Sequence, residues 1–388
     1  MNNMLRRNFL KLSATTALIP AVGLPAFAFA SKTAADKKSL ADFTGDGLNL
    51  TPKEYVQLLA LLAEKDKLAA DNYSLGGCVE ELEIKFAKLL GKEAAIFMPT
   101  GTLANHLAIR SLSGNNKRVI VQQESHVYND TGDSTQVLSN LNLIPLGANK
   151  AGFTVEEVDA VVKKTETGRV AAKVGVISIE SPVRRKQGEV FEFEQMKLIA
   201  QYAKGNDIKM HLDGARIFLA SPYTKVSVID YASLFDTVYV SLYKYFNAAS
   251  GAILAGPKNI IAPMYHTRRM FGSGLPEAWV FAAVANHYAD GFTDRFAKAV
   301  AISEDLIQRL KNNSRFHVQR INSGTNISRL TVKDISADLF VENLKNKGII
   351  THAAGAAAPN DLILQVNESL LRSSAAELED LFVKSLSK

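Results

Sequence analysis

Apolar residues recur at helical spacing over 53–70 (Tyr55, Leu58, Leu59, Leu62) and 79–90 (Leu82, Phe86, Leu89), the second run closed by Gly91. Short apolar runs of strand character follow at Ala94–Met98, Arg118–Gln122, Leu141–Leu146, Val174–Glu180, Ile208–Leu212, Thr237–Leu242 and Ala252–Ala255. Helical patterns over 103–112, 154–164 and 192–204 lie between several of them. Strands alternating with helices predict an α/β protein whose largely parallel sheet is covered on both faces. From Trp279 a long helical pattern runs to Asn312, followed by Ile327–Val332, the helix-like 335–346, Leu362–Val366 and a terminal helix over 373–386. This section predicts a smaller C-terminal α/β domain joined to the first by the long helix.

The chain has 388 residues, 47% hydrophobic and 22% charged, enough for two sub-domains with buried cores. A single cysteine, Cys78, excludes an intramolecular disulfide framework and a multi-cysteine metal site, and no metal is expected. The formal charge of +6 would suit a nucleic-acid binder, so its location matters. Three of the 45 basic residues (Arg6, Arg7, Lys11) and no acidic one fall in the first 30 residues, which leaves 42 against 39 and a charge of +3. The same segment has an apolar middle and ends in Ala28-Phe29-Ala30, the small-x-small spacing of a cleavage site. It reads as an export leader, and Arg6-Arg7 followed by Phe9-Leu10-Lys11 resembles a twin-arginine signal. A membrane anchor is the other reading, against which Pro20, Gly23 and Pro25 interrupt the apolar stretch. The expected organisation is an export signal over 1–30, a tether over 31–41, a large domain over 42–282 and a small one over 283–388. The expected location is periplasmic or otherwise exported from a bacterium by the twin-arginine machinery, with no lasting membrane anchor. Nucleic acid is not an expected partner, because no basic stripe interleaved with aromatics accompanies the residual charge.

In parallel α/β sheets functional groups collect beyond the carboxyl ends of the strands, so the residues closing each apolar run are the candidates. One run leads into Pro99-Thr100-Gly101-Thr102, where a helix opens directly after a strand; its free amides and glycine suit a phosphate, or are ordinary helix punctuation. Another ends in His211-Leu212-Asp213-Gly214-Ala215-Arg216, and a third in Ser241-Leu242-Tyr243-Lys244. A lysine there can form a Schiff base with an aldehyde cofactor, and a carboxylate can keep the nitrogen of a pyridine ring protonated. The alternative is an Asp213–Arg216 ion pair beside a snorkelling lysine.

Four blocks in one order decide the matter: Gly91 to Asn105, Glu124-Ser125-His126-Val127-Tyr128, His211 to Phe218, and Ser241 to Lys244. Together they resemble the low-specificity threonine aldolases, of the aromatic β-eliminating lyase/threonine aldolase group of fold-type-I enzymes that use pyridoxal 5'-phosphate (PLP). The resemblance runs from about Asp42 to Ala285 and more faintly to the end. It implies a fold-type-I, transferase-like α/β fold, a homodimer or homotetramer, and a small amino-acid substrate that is either cleaved in a retro-aldol reaction or β-eliminated. By the same resemblance Lys244 carries the cofactor as a Schiff base, Asp213 partners the pyridine nitrogen and Arg216 hydrogen-bonds the phenolic oxygen. Gly101 and Thr102 match the phosphate loop, His126 stacks on the ring and takes part in proton transfer, and Tyr73 falls at an active-site tyrosine. His211 is read as a structural strand residue.

The resemblance fails where a substrate carboxylate would bind. The aldolases' Arg-Ser-Asp-Thr stretch is Thr44-Gly45-Asp46-Gly47 here, their Gly-Gly-Gly-Met-Arg-Gln is Gly272 to Glu277, and their late Arg-Leu-Val-Thr-His is Ile363 to Asn367. Each change removes a serine or arginine that neutral groups do not replace in strength or geometry. Arg184 and Arg185, beyond the run that ends in Glu180, are either anion-binding replacements or a solvated basic loop. Arg268 and Arg269 either reach a neighbouring subunit's phosphate or face water. An aminotransferase, a racemase, or an amino-acid-binding protein with reduced catalysis stand as the alternatives to a lyase.

Overall fold

A computed structural model describes residues 39–355 and 358–387. The expected export signal and most of the tether lie outside these residues. The seven apolar runs all form strands: β1 (Ala94–Met98), β2 (Arg118–Gln122), β3 (Asn142–Leu146), β4 (Val174–Glu180), β5 (Lys209–Asp213), β6 (Thr237–Ser241) and β7 (Ala252–Gly256). They make one sheet in the order β1-β7-β6-β5-β4-β2-β3. Only β7 runs antiparallel to its neighbours, β1 and β6; the other pairs are parallel. Strands β4, β6 and β7 are buried along their whole length, as continuous apolar strands must be when helices cover both faces. Beyond the carboxyl ends of β1, β4, β5 and β6 the candidate residues meet at one edge of the sheet.

Helix Gly101–Ser113 crosses β4 to β7 and buries Ala104, Leu107 and Ala108 against them, which aims its N-terminus at that edge. On the other face Phe86, Phe218, Tyr245, Phe246 and Phe292 pack edge to face or tilted. Tyr245 and Phe246 directly follow Lys244, so this cluster anchors the turn that carries the lysine. β1 is an outer strand, and the main-chain groups of Phe97 are taken by side chains. Glu83 Oε1 accepts from Phe97 N at 2.7 Å, and Arg268 Nη1 donates to Phe97 O. The outward main-chain groups at Phe97 are thus withdrawn from pairing with another strand.

The C-terminal domain carries an antiparallel sheet of β8 (Phe316–Arg320), β9 (Ile327–Val332), β10 (His352–Ala353) and β11 (Asp361–Gln365), in the order β10-β11-β9-β8. A mostly parallel sheet between helices and a smaller C-terminal sheet are thus the fold class the pattern predicts, with three differences in the elements. The long helix is two, Trp279–Ala289 and Phe292–Lys311, broken where Gly291 takes φ +66°, a left-handed turn that opens the second helix. β8 escapes the periodicity because only Phe316 and Val318 alternate inward. The tether also ends sooner than residue 41: Ala41–Asp42 pairs in parallel with Ile349–Ile350, and Ala41 is fully buried. Among the described residues no helix is long and apolar enough to cross a membrane, and no group of three or more His, Cys, Asp or Glu could hold a metal ion.

Candidate active site

One cavity of about 1110 Å³ opens at the carboxyl edge of the large sheet. It is lined by Thr100, Gly101 and Thr102, by His126, by Asp213 and Arg216, by Lys244, and by Arg184. Six residues expected at a cofactor site and one expected at a substrate site therefore share a single space.

The floor is built on Asp213, the last residue of β5, which is 3% exposed. Its Oδ1 accepts from the Ala215 amide at 3.1 Å and its Oδ2 from Asn105 Nδ2 at 2.6 Å. Asn105 Oδ1 in turn lies 2.9 Å from His211 Nε2, and His211 Nδ1 lies 2.9 Å from Thr237 Oγ1. Full burial pushes the His211 pKa down to about 4 against the charge of Asp213, so the imidazole is neutral. With Asn105 already donating to Asp213, Nε2 of His211 must carry the proton and Nδ1 must accept from Thr237. His211 is thus the strand residue expected, and it holds Asn105 in the orientation that supports Asp213.

Arg216 Nε donates to Asp46 Oδ2 at 2.8 Å. Burial opposes its charge, but Asp46, then Glu180 and Asp213, more than offset that, and the guanidinium stays charged. Asp46 Oδ1 also accepts from Gln365 Nε2 at 2.6 Å. Gln365, two residues beyond the Ile363 that stands in place of a family arginine, thus joins β11 to Asp46. Gly47, one residue on, lies where a Cβ would come within 2.3 Å of Lys244 O, so only glycine lets this segment rest on the lysine turn. Lys244 Nζ donates to Tyr243 Oη at 3.2 Å.

At the opposite end Thr100 caps helix Gly101–Ser113, its Oγ1 accepting from Leu103 N at 3.2 Å and its carbonyl from Ala104 N. The amides of Gly101 and Thr102 precede that ladder and have no carbonyl a turn back to bind. A Cβ on Gly101 would lie 1.9 Å from the Tyr239 hydroxyl oxygen, so the glycine is fixed by close packing at the helix start. The donor set fits pyridoxal phosphate: amides for a phosphate at one end, a buried carboxylate for the ring nitrogen on the floor, and an amine at the wall.

The rim is different in kind. His126 Nδ1 lies 3.6 Å from Asp130 Oδ2, and Asp130 also pairs with Arg184 Nη2 and, at 3.2 Å, with Arg185 Nη1. Burial would raise the Asp130 pKa, but the Arg184 bond and the charges of Arg184, His126 and Arg185 outweigh it and hold the carboxyl below its ordinary range. Arg184 lines the cavity while bound to Asp130; Arg185 lies outside the lining and reaches Glu124 at 3.8 Å as well. Tyr73 also lies outside the lining, with its amide on Pro276 O and its ring 4.5 Å from the Arg269 guanidinium. Arg268, expected at a neighbour's phosphate or in water, is instead 1% exposed within its own chain, bridging Phe97 O and Tyr73 O.

Sequence reasoning passed over Asp46, Asn105, Asp130 and Glu180. Glu180 satisfies the same criterion as Asp213, a charged residue closing a buried strand, and the two are register partners across β4 and β5. Asp130 is one helical turn beyond His126, a spacing the sequence displays openly. Asn105 and Asp46 give no such signal, since their roles come from partners 108 and 170 residues away.

Known proteins resemble this chain in sequence and in fold. Residues 58–333 match the family model described as Beta-eliminating lyase. A low-specificity L-threonine aldolase of Candida albicans is 31% identical over 212 residues, taking in 54% of this chain and 56% of that protein. The aligned part thus spans little more than half of that relative. A probable low-specificity L-threonine aldolase of Schizosaccharomyces pombe is 26% identical and aligns over 80% of each chain. Among solved structures, a putative L-allo-threonine aldolase from Listeria monocytogenes superposes with a TM-score of 0.72 at 25% identity, covering 90% of this chain and 96% of that one.

Proposed function

The chain belongs to the Beta-eliminating lyase family, and within it we propose a pyridoxal phosphate-dependent lyase that cleaves a β-hydroxy-α-amino acid between Cα and Cβ. The observation that carries this reading is the meeting of Lys244, Asp213 and the Gly101–Thr102 helix start in one cavity. When bound, pyridoxal phosphate supplies a conjugated ring that accepts the electron pair released at Cα. Lys244 Nζ, in the wall of the cavity, would hold the cofactor through its aldehyde. The Asp213 carboxylate, kept in place by Asn105 and the Ala215 amide, would partner the ring nitrogen and favour its protonated form. Gly101 and Thr102 would receive the phosphate on their amides. His126, at the rim and within reach of Asp130, takes the β-hydroxyl proton as the aldehyde leaves, and Lys244 or His126 returns a proton to Cα. β-Elimination is the second outcome of the same machinery, and the departures at the carboxylate subsite leave threonine itself the less favoured substrate.

The test is to add pyridoxal phosphate to the purified mature protein, follow the absorption band of the bound cofactor, and fix it with borohydride. Label on Lys244, and an aldehyde plus glycine from a panel of β-hydroxy amino acids, are expected. Keto acid from transamination, or racemised substrate without an aldehyde, would replace the lyase by an aminotransferase or racemase. Label elsewhere than Lys244 would overturn the assignment of the site.

The leader reading completes the proposal. Arg6-Arg7 would direct a folded, cofactor-loaded protein out of the cytosol, and a homodimer or homotetramer is the expected assembly. Replacement of both arginines by lysine is expected to retain the loaded protein inside the cell; unchanged export would discard the signal assignment. Sedimentation of the mature protein as a monomer would discard the oligomer.

A further inference from the structure

Glu180 is a cavity residue that the proposed chemistry does not use. It is 4% exposed and lines the cavity, and its carboxyl oxygens are divided between two different loops. Oε2 accepts from the His126 amide at 2.6 Å, and Oε1 from the Arg184 amide at 2.8 Å. Its own main chain is clamped from β2: Gln122 Oε1 accepts from Glu180 N at 2.7 Å, and Gln122 Nε2 donates to Glu180 O at 2.7 Å. A rigid strand end thus holds, through one side chain, the two loop segments that carry the rim.

We propose that Glu180 is a positioning residue whose buried carboxyl sets the placement of His126 and Arg184 over the cavity and links that placement to the charge on Asp213. The inference rests on the lyase reading given above. An ionised carboxyl accepts from both amides, whereas a protonated one has turned one oxygen into a donor and holds one amide less well. The groups facing Glu180 are Asp213 from β5, Arg216 beyond it with Asp46 behind, His126 with Asp130 from the loop after β2, and Arg184 from the loop after β4. Burial first, and then the charge of Asp213, push the Glu180 pKa up to about 7; the Arg184 and His126 amides and the charge of Arg216 oppose the rise. The grip on the rim therefore loosens as pH falls through neutrality.

Two variants separate placement from charge. Glu180→Gln keeps the shape and one acceptor but cannot titrate; Glu180→Asp keeps the acid but shortens its reach. Both are expected to lower kcat by about 10- to 100-fold with KM changed much less, since misplacement of a reacting group by about 1 Å costs up to that factor. If Glu180 acts through His126, Glu180→Gln is expected to add little to the loss already caused by His126→Asn. Multiplicative losses in the double variant would overturn the proposal.

The second readout needs no turnover. Glu180 has a folded pKa above its unfolded value, so the stability it contributes is full below about pH 4.5 and is lost as pH rises through about 7. In cofactor-free protein, the Tm of Glu180→Gln relative to wild type is expected to rise between pH 5 and 8, and Glu180→Asp to keep more of the wild-type slope. Parallel Tm curves for wild type and Glu180→Gln would overturn the linkage to charge. Wild-type protein that never labels at Lys244 would overturn the lyase reading as well. Wild type that labels, with Glu180→Gln kinetically indistinguishable from it, would overturn this proposal alone.

Discussion

The floor and the rim of the cavity are built on opposite principles. On the floor, Asp213, Asn105 and His211 are at most 3% exposed and joined in one chain of hydrogen bonds in which each donor has a defined acceptor. At the rim, the side chains of Arg184 and Arg185 are 49% and 42% exposed, and both lean on one carboxylate, Asp130. A buried network is costly to leave half-satisfied and so has one arrangement, whereas solvated ion pairs are screened, individually weak and easily exchanged. The difference teaches that the floor is fixed by burial and complete hydrogen bonding, whereas the arginines of the rim are held by ion pairs that can be exchanged without disturbing the floor.

The largest effect should come from the floor. Asp213→Asn keeps the shape but removes the buried charge proposed to partner the ring nitrogen, and kcat is expected to fall about 10³-fold, within the range for loss of a positioned acid–base group. Steady-state kinetics on cofactor-saturated protein checks this, and a loss below about 10-fold would make floor and rim equivalent. Next is Gly101→Ala, whose added Cβ meets the Tyr239 hydroxyl. Overpacking of this kind costs about 1–3 kcal/mol, so a lower denaturation midpoint is expected together with weaker cofactor binding in a titration with pyridoxal phosphate.

A third test uses acid. His211 has a folded pKa near 4, below its unfolded value, so its stability contribution is full above about pH 6.5 and is lost as pH falls toward 4. Asp130, depressed below 3.8 in the fold, contributes above that value and loses its contribution only as pH falls below it. Melting curves should therefore register the floor in mild acid and the rim only in stronger acid, and His211→Gln should flatten the slope between pH 4 and 6.5. The smallest effect is expected from Arg184→Ala. Stability should change by less than about 1 kcal/mol, and the difference from wild type should shrink in high salt. A large, salt-independent loss would move Arg184 from the rim to the floor.

How much of this was legible in sequence follows the same division. Asp213, Lys244 and the Gly101–Thr102 start each close or follow a strand that the apolar pattern marks, and a charged or small residue at such a place stands out against its surroundings. Glu180 stood in an equally marked place and was passed over, although the criterion that selects Asp213 selects it too. His126 was found only through the resemblance, because a four-residue helix has too little periodicity to mark it. The arginines were the least legible: Arg184 is bound to Asp130 inside the cavity, Arg185 to the same group outside it, and Arg268 is enclosed against β1.

By itself the sequence determined the seven strands of the large sheet, most of the charged residues that close them and the membership of a cofactor-using family, because these depend on local periodicity and on side chains a few positions apart. Tertiary structure alone decided that Asn105 serves Asp213, that Asp46, itself bound by Gln365, holds Arg216, and that one carboxyl, Glu180, grips two loops. Those partnerships join residues brought together only when the strands pair and the small domain docks. A hydrogen bond acts over about 3 Å of space and is blind to distance along the chain.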